Sequence, residues 1–150
     1  MAELISDTLT NSLMDKLQGV QYSLFATIDH ETGSPAVNAI SWIYALNSRR
    51  IRIAVGHRSR MLEHVKRNPA VAVTLIGPDT TYEITGRASI TEVPMTDVSI
   101  KLACIEIEVE AVKNVMYFGA KIVQGVECAK TYDQEKADQL DQQVLSALKK

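Results

Sequence analysis

What this chain has little of narrows its chemistry first. Aromatic residues make up 5% of its 150 residues, and only two cysteines occur, Cys104 and Cys128. Neither belongs to a CxxC pair or sits near histidines at ligand spacing, so the sequence predicts no metal site. Cys104 lies in the apolar run LACIEI and reads as a small core residue, and two reduced thiols suit the cytoplasm. No stretch approaches the ~20 apolar residues of a membrane span. The opening MAELISDTLTNSL lacks the basic-then-apolar order of a secretory signal, so a cytoplasmic location is expected. No Ser/His/Asp or Cys/His arrangement with a nucleophile elbow is visible. A net charge of −2 gives no general attraction to nucleic acid or anionic membrane. The arginines gather at positions 49, 50, 52, 58, 60 and 67 with few aromatics nearby, so the positive field is local and argues against RNA binding.

What is present is an ordinary folded composition, 46% hydrophobic and 23% charged, of a length that predicts one domain over residues 1–150. Leu9, Leu13, Met14 and Leu17 recur at helical spacing over residues 8–18, ending at Gly19. Tyr22, Leu24, Ala26 and Ile28 then alternate with polar residues as in a strand. The turn formers of Asp29–Pro35 lead into a second strand, Ala36–Leu46, making a hairpin. A turn at Asn47–Arg50 leads to strand Ile51–Val55, and a short helix follows, stopped at Asn68-Pro69. Ala70–Ile76 is almost wholly apolar, which predicts a strand covered on both faces. Thr81–Ile90 alternates around Gly86, a candidate bulge or sharp bend. Cys104–Val112 sets Ile105, Ile107 and Val109 against Glu106, Glu108 and Glu110, whose carboxylates read as a solvated outer face. The last segment, Thr131–Lys149, reads as a helix with a Thr131/Gln134 capping box and an apolar side of Ala137, Leu140, Val144, Leu145 and Leu148. The pattern predicts a mainly β fold, a six-stranded antiparallel barrel with flanking helices.

The most informative stretch is IRIAVGHRSRMLEHVKRNP, residues 51–69. It places Arg58, Ser59 and Arg60 where a strand feeds a helix. The first-turn N–H groups of a helix have no internal partners, so a hydroxyl and two guanidinium groups beside them favour a bound phosphate. The alternative is a plain N-cap at Ser59 with two solvated arginines. His57 either donates to the same group or is simply exposed. His30 reads as a surface residue and His64 carries no signal. Trp42, the only tryptophan, reads as a core or interface anchor, and Tyr117–Lys121 is either a loop packed on the core or a lid.

Three segments together, FATIDHETGSPAVNAISWIYAL, RIRIAVGHRSRMLEHVKRNPAVAVTLI and YEITGRASI, resemble the FMN-binding split-barrel superfamily of pyridoxamine 5'-phosphate oxidase. The resemblance implies a homodimer with FMN across its interface. It places Asn38, Ala39, Ile40, Ser41, Trp42 and Ile43 beside the flavin ring and ribityl chain. Ala54 and Val55 would give backbone contacts, Ser59 and Arg60 would meet the phosphate with Arg58 close by, and Thr81 stands where the oxidase has a flavin-contacting glutamine. The chain departs from the oxidase at Asn38 and Ile43, which replace an arginine and a lysine, and at Met61, which replaces a phosphate-binding lysine. The oxidase's C-terminal basic motif has no counterpart in residues 106–150. A true pyridoxamine phosphate oxidase is therefore not expected. The expected function is electron or hydride transfer by FMN from NADH or NADPH to a small organic acceptor. The alternative is a non-catalytic flavin or haem binder used for storage, sensing or stress protection.

Overall fold

The computed structural model describes residues 2–150. In order, the elements are β1 (Glu3–Ser6), α1 (Asn11–Lys16), β2 (Gln18–Ile28), β3 (Pro35–Asn47), β4 (Arg50–Gly56) and α2 (Arg60–Arg67). Then follow β5 (Ala70–Ile76), β6 (Thr81–Glu92), β7 (Leu102–Asn114) and α3 (Gln134–Lys149). The antiparallel wall runs β7-β4-β3-β2-β5-β6, and β6 pairs again with β7. That closure makes the expected six-stranded barrel, and β1 adds to the end of β7 as an extra strand.

The interior is filled by side chains such as Phe25, Ile43, Ile53, Ile84, Ile105 and Ile107, each fully buried. On β2 the inward set is Ser23, Phe25 and Thr27, while Leu24, Ala26 and Ile28 face outward and stay half-buried. β5 alternates in the same way. Val71, Val73 and Leu75 are buried, whereas Ala72, Thr74 and Ile76 are half-exposed, so only one face is covered and not the two expected. Gly86 sits at a register shift between β6 and β7. A Cβ there would lie 2.3 Å from the Glu108 carbonyl oxygen, so only glycine lets the strands approach so closely.

Apart from β5, the strands run one to four residues beyond their expected ends, and the larger departures lie towards the ends of the chain. The helix read over residues 8–18 is limited to Asn11–Lys16, capped by Thr10, whose hydroxyl accepts from the Leu13 N–H. Leu17 keeps its side chain in the core, but its carbonyl already accepts from Ala45 of β3, so the sheet takes over from the helix there. The last helix begins at Gln134 with Asp133 as its N-cap, accepting from Glu135, and the side chain of Gln134 turns forward to Asp138. The Thr131/Gln134 box therefore does not form, because an aspartate two residues later supplies the cap. β1 precedes both and was not expected at all.

α3 lies across β2, β3 and β4. Its Val144 and Leu148 close a second apolar cluster with Ala54, Met95, Leu102 and Cys104. Trp42 is fixed here. Its indole N–H donates to Asp141 Oδ1 at 2.8 Å, and Lys130 pairs with the same carboxylate at 2.9 Å.

Candidate functional site

The site begins where a ladder stops. β3 and β4 pair from Asn47↔Arg50 to Ile43↔Ile53 and no further. Past that point β3 continues on β2 alone, and β4 continues through Ala54–Gly56 on β7 alone. The two strands diverge, and a cleft of about 230 Å³ opens between them. Ala39–Trp42 form one side, Ala54–Gly56 the other, and Met61 of α2 closes one end. Backbone N–H and C=O groups along both edges lack ladder partners, so they are free to bind a polar ligand lying in the plane of the sheet.

Gly56 then turns the chain into α2. The Ser59 N–H donates to the Gly56 carbonyl at 3.0 Å, and Ser59 Oγ accepts from the Met61 N–H at 3.2 Å. Ser59 is thus the N-cap, and its hydroxyl hydrogen remains available as a donor. Arg58 is exposed. Arg60 is 71% exposed, with Nη2 3.9 Å from Asp29 Oδ2 on the β2–β3 hairpin. The N–H groups of Glu31 and Thr32 hold the Asp29 carboxyl below the usual carboxylate range, with His64 and Arg60 adding to the effect. His57 donates from Nδ1 to the Lys101 carbonyl at 3.1 Å, which fixes its ring against the start of β7.

Of the residues expected at the site, the fold brings Ala39, Ile40, Ser41, Trp42, Ala54, Val55 and Met61 to one cleft, with Arg58, Ser59 and Arg60 at the adjoining turn. Asn38 is exposed on β3 just beyond it. Ile43 is completely buried in the barrel opposite Ile53, so its side chain is core and does not reach a ligand. Trp42 offers its backbone, because its indole is committed to α3. Thr81, on β6, lies three strands round the wall from β3 and does not line the cleft. Tyr117 and Phe118 are 68% and 100% exposed and do not pack on this chain's own core.

One histidine holds a position the sequence reading does not give it, while His30 lies at the surface on its hairpin turn as expected. His64 is 3% exposed, and its Nδ1 lies 2.8 Å from Thr27 Oγ1. Its signal was its spacing: it falls three residues after Met61 and beside Val65, on the face of α2 that packs inward. His30 comes beside it from the β2–β3 hairpin, with ring centroids 5.6 Å apart.

A sequence model described as pyridoxamine 5'-phosphate oxidase matches residues 9–115, a span that includes the whole barrel. A search of curated proteins finds no match. Among solved structures, a candidate pyridoxamine 5'-phosphate oxidase from Lactobacillus delbrueckii superposes with a TM-score of 0.64 at 17% identity, over 75% of this chain and 98% of that one. HupZ from Group A Streptococcus gives 0.61 at 18% identity, over 75% and 98%. An F420 reductase gives 0.53 at 20% identity, over 65% and 93%. At these identities the superpositions establish a shared fold. Since the family match spans every strand of the barrel, the chain belongs to the pyridoxamine 5'-phosphate oxidase family.

Proposed function

We propose that this protein binds FMN in the β3–β4 cleft, at the interface of a homodimer, and passes electrons or hydride to a small organic acceptor with NADH or NADPH as donor. The observation that carries the reading is the meeting, in one cleft, of two unpaired strand edges and a helix N-terminus flanked by arginines. A flavin mononucleotide asks for both. Its ring has in-plane donors and acceptors suited to strand edges, and its phosphate suits first-turn N–H groups, the Ser59 hydroxyl and the Arg58 and Arg60 guanidinium groups. The family generally binds flavin nucleotides and forms dimers.

The cleft, at about 230 Å³, is smaller than the roughly 300–1,000 Å³ of typical cofactor pockets, and a second copy would enlarge it. The outward face of β2 and β5 and the exposed Val20 and Val37 supply an apolar surface for that copy. The exposed Tyr117–Lys121 segment would then cover the partner's flavin, and the partner's Thr81 would approach it from across the interface. FMN, when bound, supplies the redox chemistry, while the chain positions it and excludes water. Asn38 and Met61 stand where cationic groups serve the oxidase, which argues against a phosphorylated vitamin as substrate.

The second reading, a non-catalytic flavin or haem binder, is favoured by Met61, an apolar thioether at the end of the cleft where a lysine is expected. Turnover of bound flavin with NADH or NADPH separates the two readings. The first test is the visible absorption spectrum of freshly purified protein, repeated after FMN is added and the sample desalted. A retained, shifted flavin spectrum is expected, and a colourless protein that holds no FMN rejects the reading. Arg60→Ala should lower FMN affinity at least tenfold, since a charge-assisted bond contributes about 1.5–3 kcal/mol and 1.4 kcal/mol is a factor of ten. Unchanged affinity would place the phosphate elsewhere.

A further inference from the structure

Outside the cleft, the β2–β3 hairpin and α2 bring together Asp29, His30 and His64, whose ligand-type atoms all lie within 4.8 Å of one another. His64 is the anomaly among them. Its Nε2 is buried and has no hydrogen-bond partner among the described residues. Asp29 Oδ2, the nearby carboxylate oxygen, is 3.9 Å away and beyond hydrogen-bond reach. A buried polar nitrogen left unpaired is unfavourable, so its persistence asks for a partner that is not a protein atom.

The surroundings hold these ligands from behind. Thr27 Oγ1 engages His64 Nδ1 at 2.8 Å and leaves Nε2 pointing at the cluster. The Glu31 and Thr32 N–H groups, at 2.8 and 3.3 Å, hold Asp29 Oδ1, which leaves Oδ2 facing His64. His30 is on the hairpin with its side chain 22% exposed, and its Nε2 lies 3.7 Å from the exposed Glu31 carboxylate. Outer contacts of this kind orient the ligands of metal sites.

We propose that Asp29, His30 and His64 form a site for one divalent transition-metal ion of the zinc type. Two imidazole nitrogens and one carboxylate oxygen bind it, and a fourth position stays open to water. That donor set, two imidazoles and a carboxylate with a position left open, is one that open zinc sites use. The ligand atoms must draw together from their present separations to the roughly 3.3 Å that tetrahedral bonds of about 2.05 Å require. His30, on the hairpin turn, supplies most of that movement. Arg60 opposes the ion, because its guanidinium sits 3.9 Å from the same Asp29 oxygen, and it must swing aside when the ion binds.

The test uses the full-length protein, stripped with chelator and without flavin, titrated with Co²⁺ as a spectroscopic probe and separately with Zn²⁺. One ion per chain retained through dialysis is expected, with the visible absorption of four- or five-coordinate Co²⁺. Thr27→Val should weaken retention ten- to a hundredfold. Asp29→Asn and His30→Ala should abolish stoichiometric binding, and Arg60→Gln should strengthen it. Both ligand positions are on a surface hairpin, so circular dichroism can confirm that these variants fold even if His64→Gln does not. A wild-type protein that retains neither metal overturns the proposal, as does retention unchanged in Asp29→Asn and His30→Ala. Because the metal alone is the probe, the outcome is independent of whether the cleft takes FMN.

Discussion

At the scale of single residues, backbone proximity and side-chain direction decide most of what matters here. Gly86 is the clearest case. An added Cβ would meet the Glu108 carbonyl at 2.3 Å and the Ile107 methyl at 2.8 Å, both on β7. Gly86→Ala should therefore destabilise the barrel by about 1–3 kcal/mol, the usual cost of overpacking. In thermal unfolding that is a fall of about 2–4 °C per kcal/mol for a chain of this size. The glycine was legible in the sequence because it interrupts an alternating strand. Ile43 was harder to read, since a strand position says nothing about which face meets the interior until the register with Ile53 is known. His64 was missed for a related reason. Its place on the apolar side of α2 was readable, but its approach to Asp29 and His30 depends on a hairpin some thirty-five residues earlier packing against that helix.

At the scale of elements, α3 acts as an outer strap on the wall that carries the cleft. Its link to β3 runs through the only tryptophan, so the docking can be watched directly. Asp141→Ala removes the acceptor of the Trp42 indole and the partner of Lys130. A shift in Trp42 fluorescence is expected, together with a loss of about 1.5–3 kcal/mol in denaturant unfolding, the range for hydrogen bonds to charged groups. Val144 and Leu148 stay buried, so the helix itself should persist. Strands β2 to β7 were legible because alternation, or in β5 a short apolar run, is bounded by turn residues, and α3 because its apolar side recurs on one face. The ends were less so. β1 is four residues long, largely exposed, and held by a short register on β7, so it leaves no periodic trace. Capping at α3 turned on a choice between Thr131 and Asp133 that composition alone does not make.

At the scale of the whole molecule, the outward apolar face is the feature a monomer does not explain. Val37 is 59% exposed on β3, beside the cleft, and Leu24, Ala26 and Ile28 of β2 are only half-buried. If a second copy covers this surface, Val37→Glu should shift the protein toward monomer in sedimentation while leaving its secondary structure intact. The same substitution should cost FMN retention if the cofactor needs both copies. The sequence revealed the apolar runs but not their outward direction, because a nearly all-apolar strand such as Ala70–Ile76 looks the same whether a helix, a second sheet or a partner covers it. The opened β3–β4 seam has one more consequence. A closed barrel has no edges, but this one exposes two, and neither Pro35–Trp42 nor Ala54–Gly56 carries a charge to deter foreign strands. Left uncovered, such edges invite pairing with other chains. A ligand or second copy that filled the seam would also guard solubility, and yield during expression should then follow occupancy of the cleft.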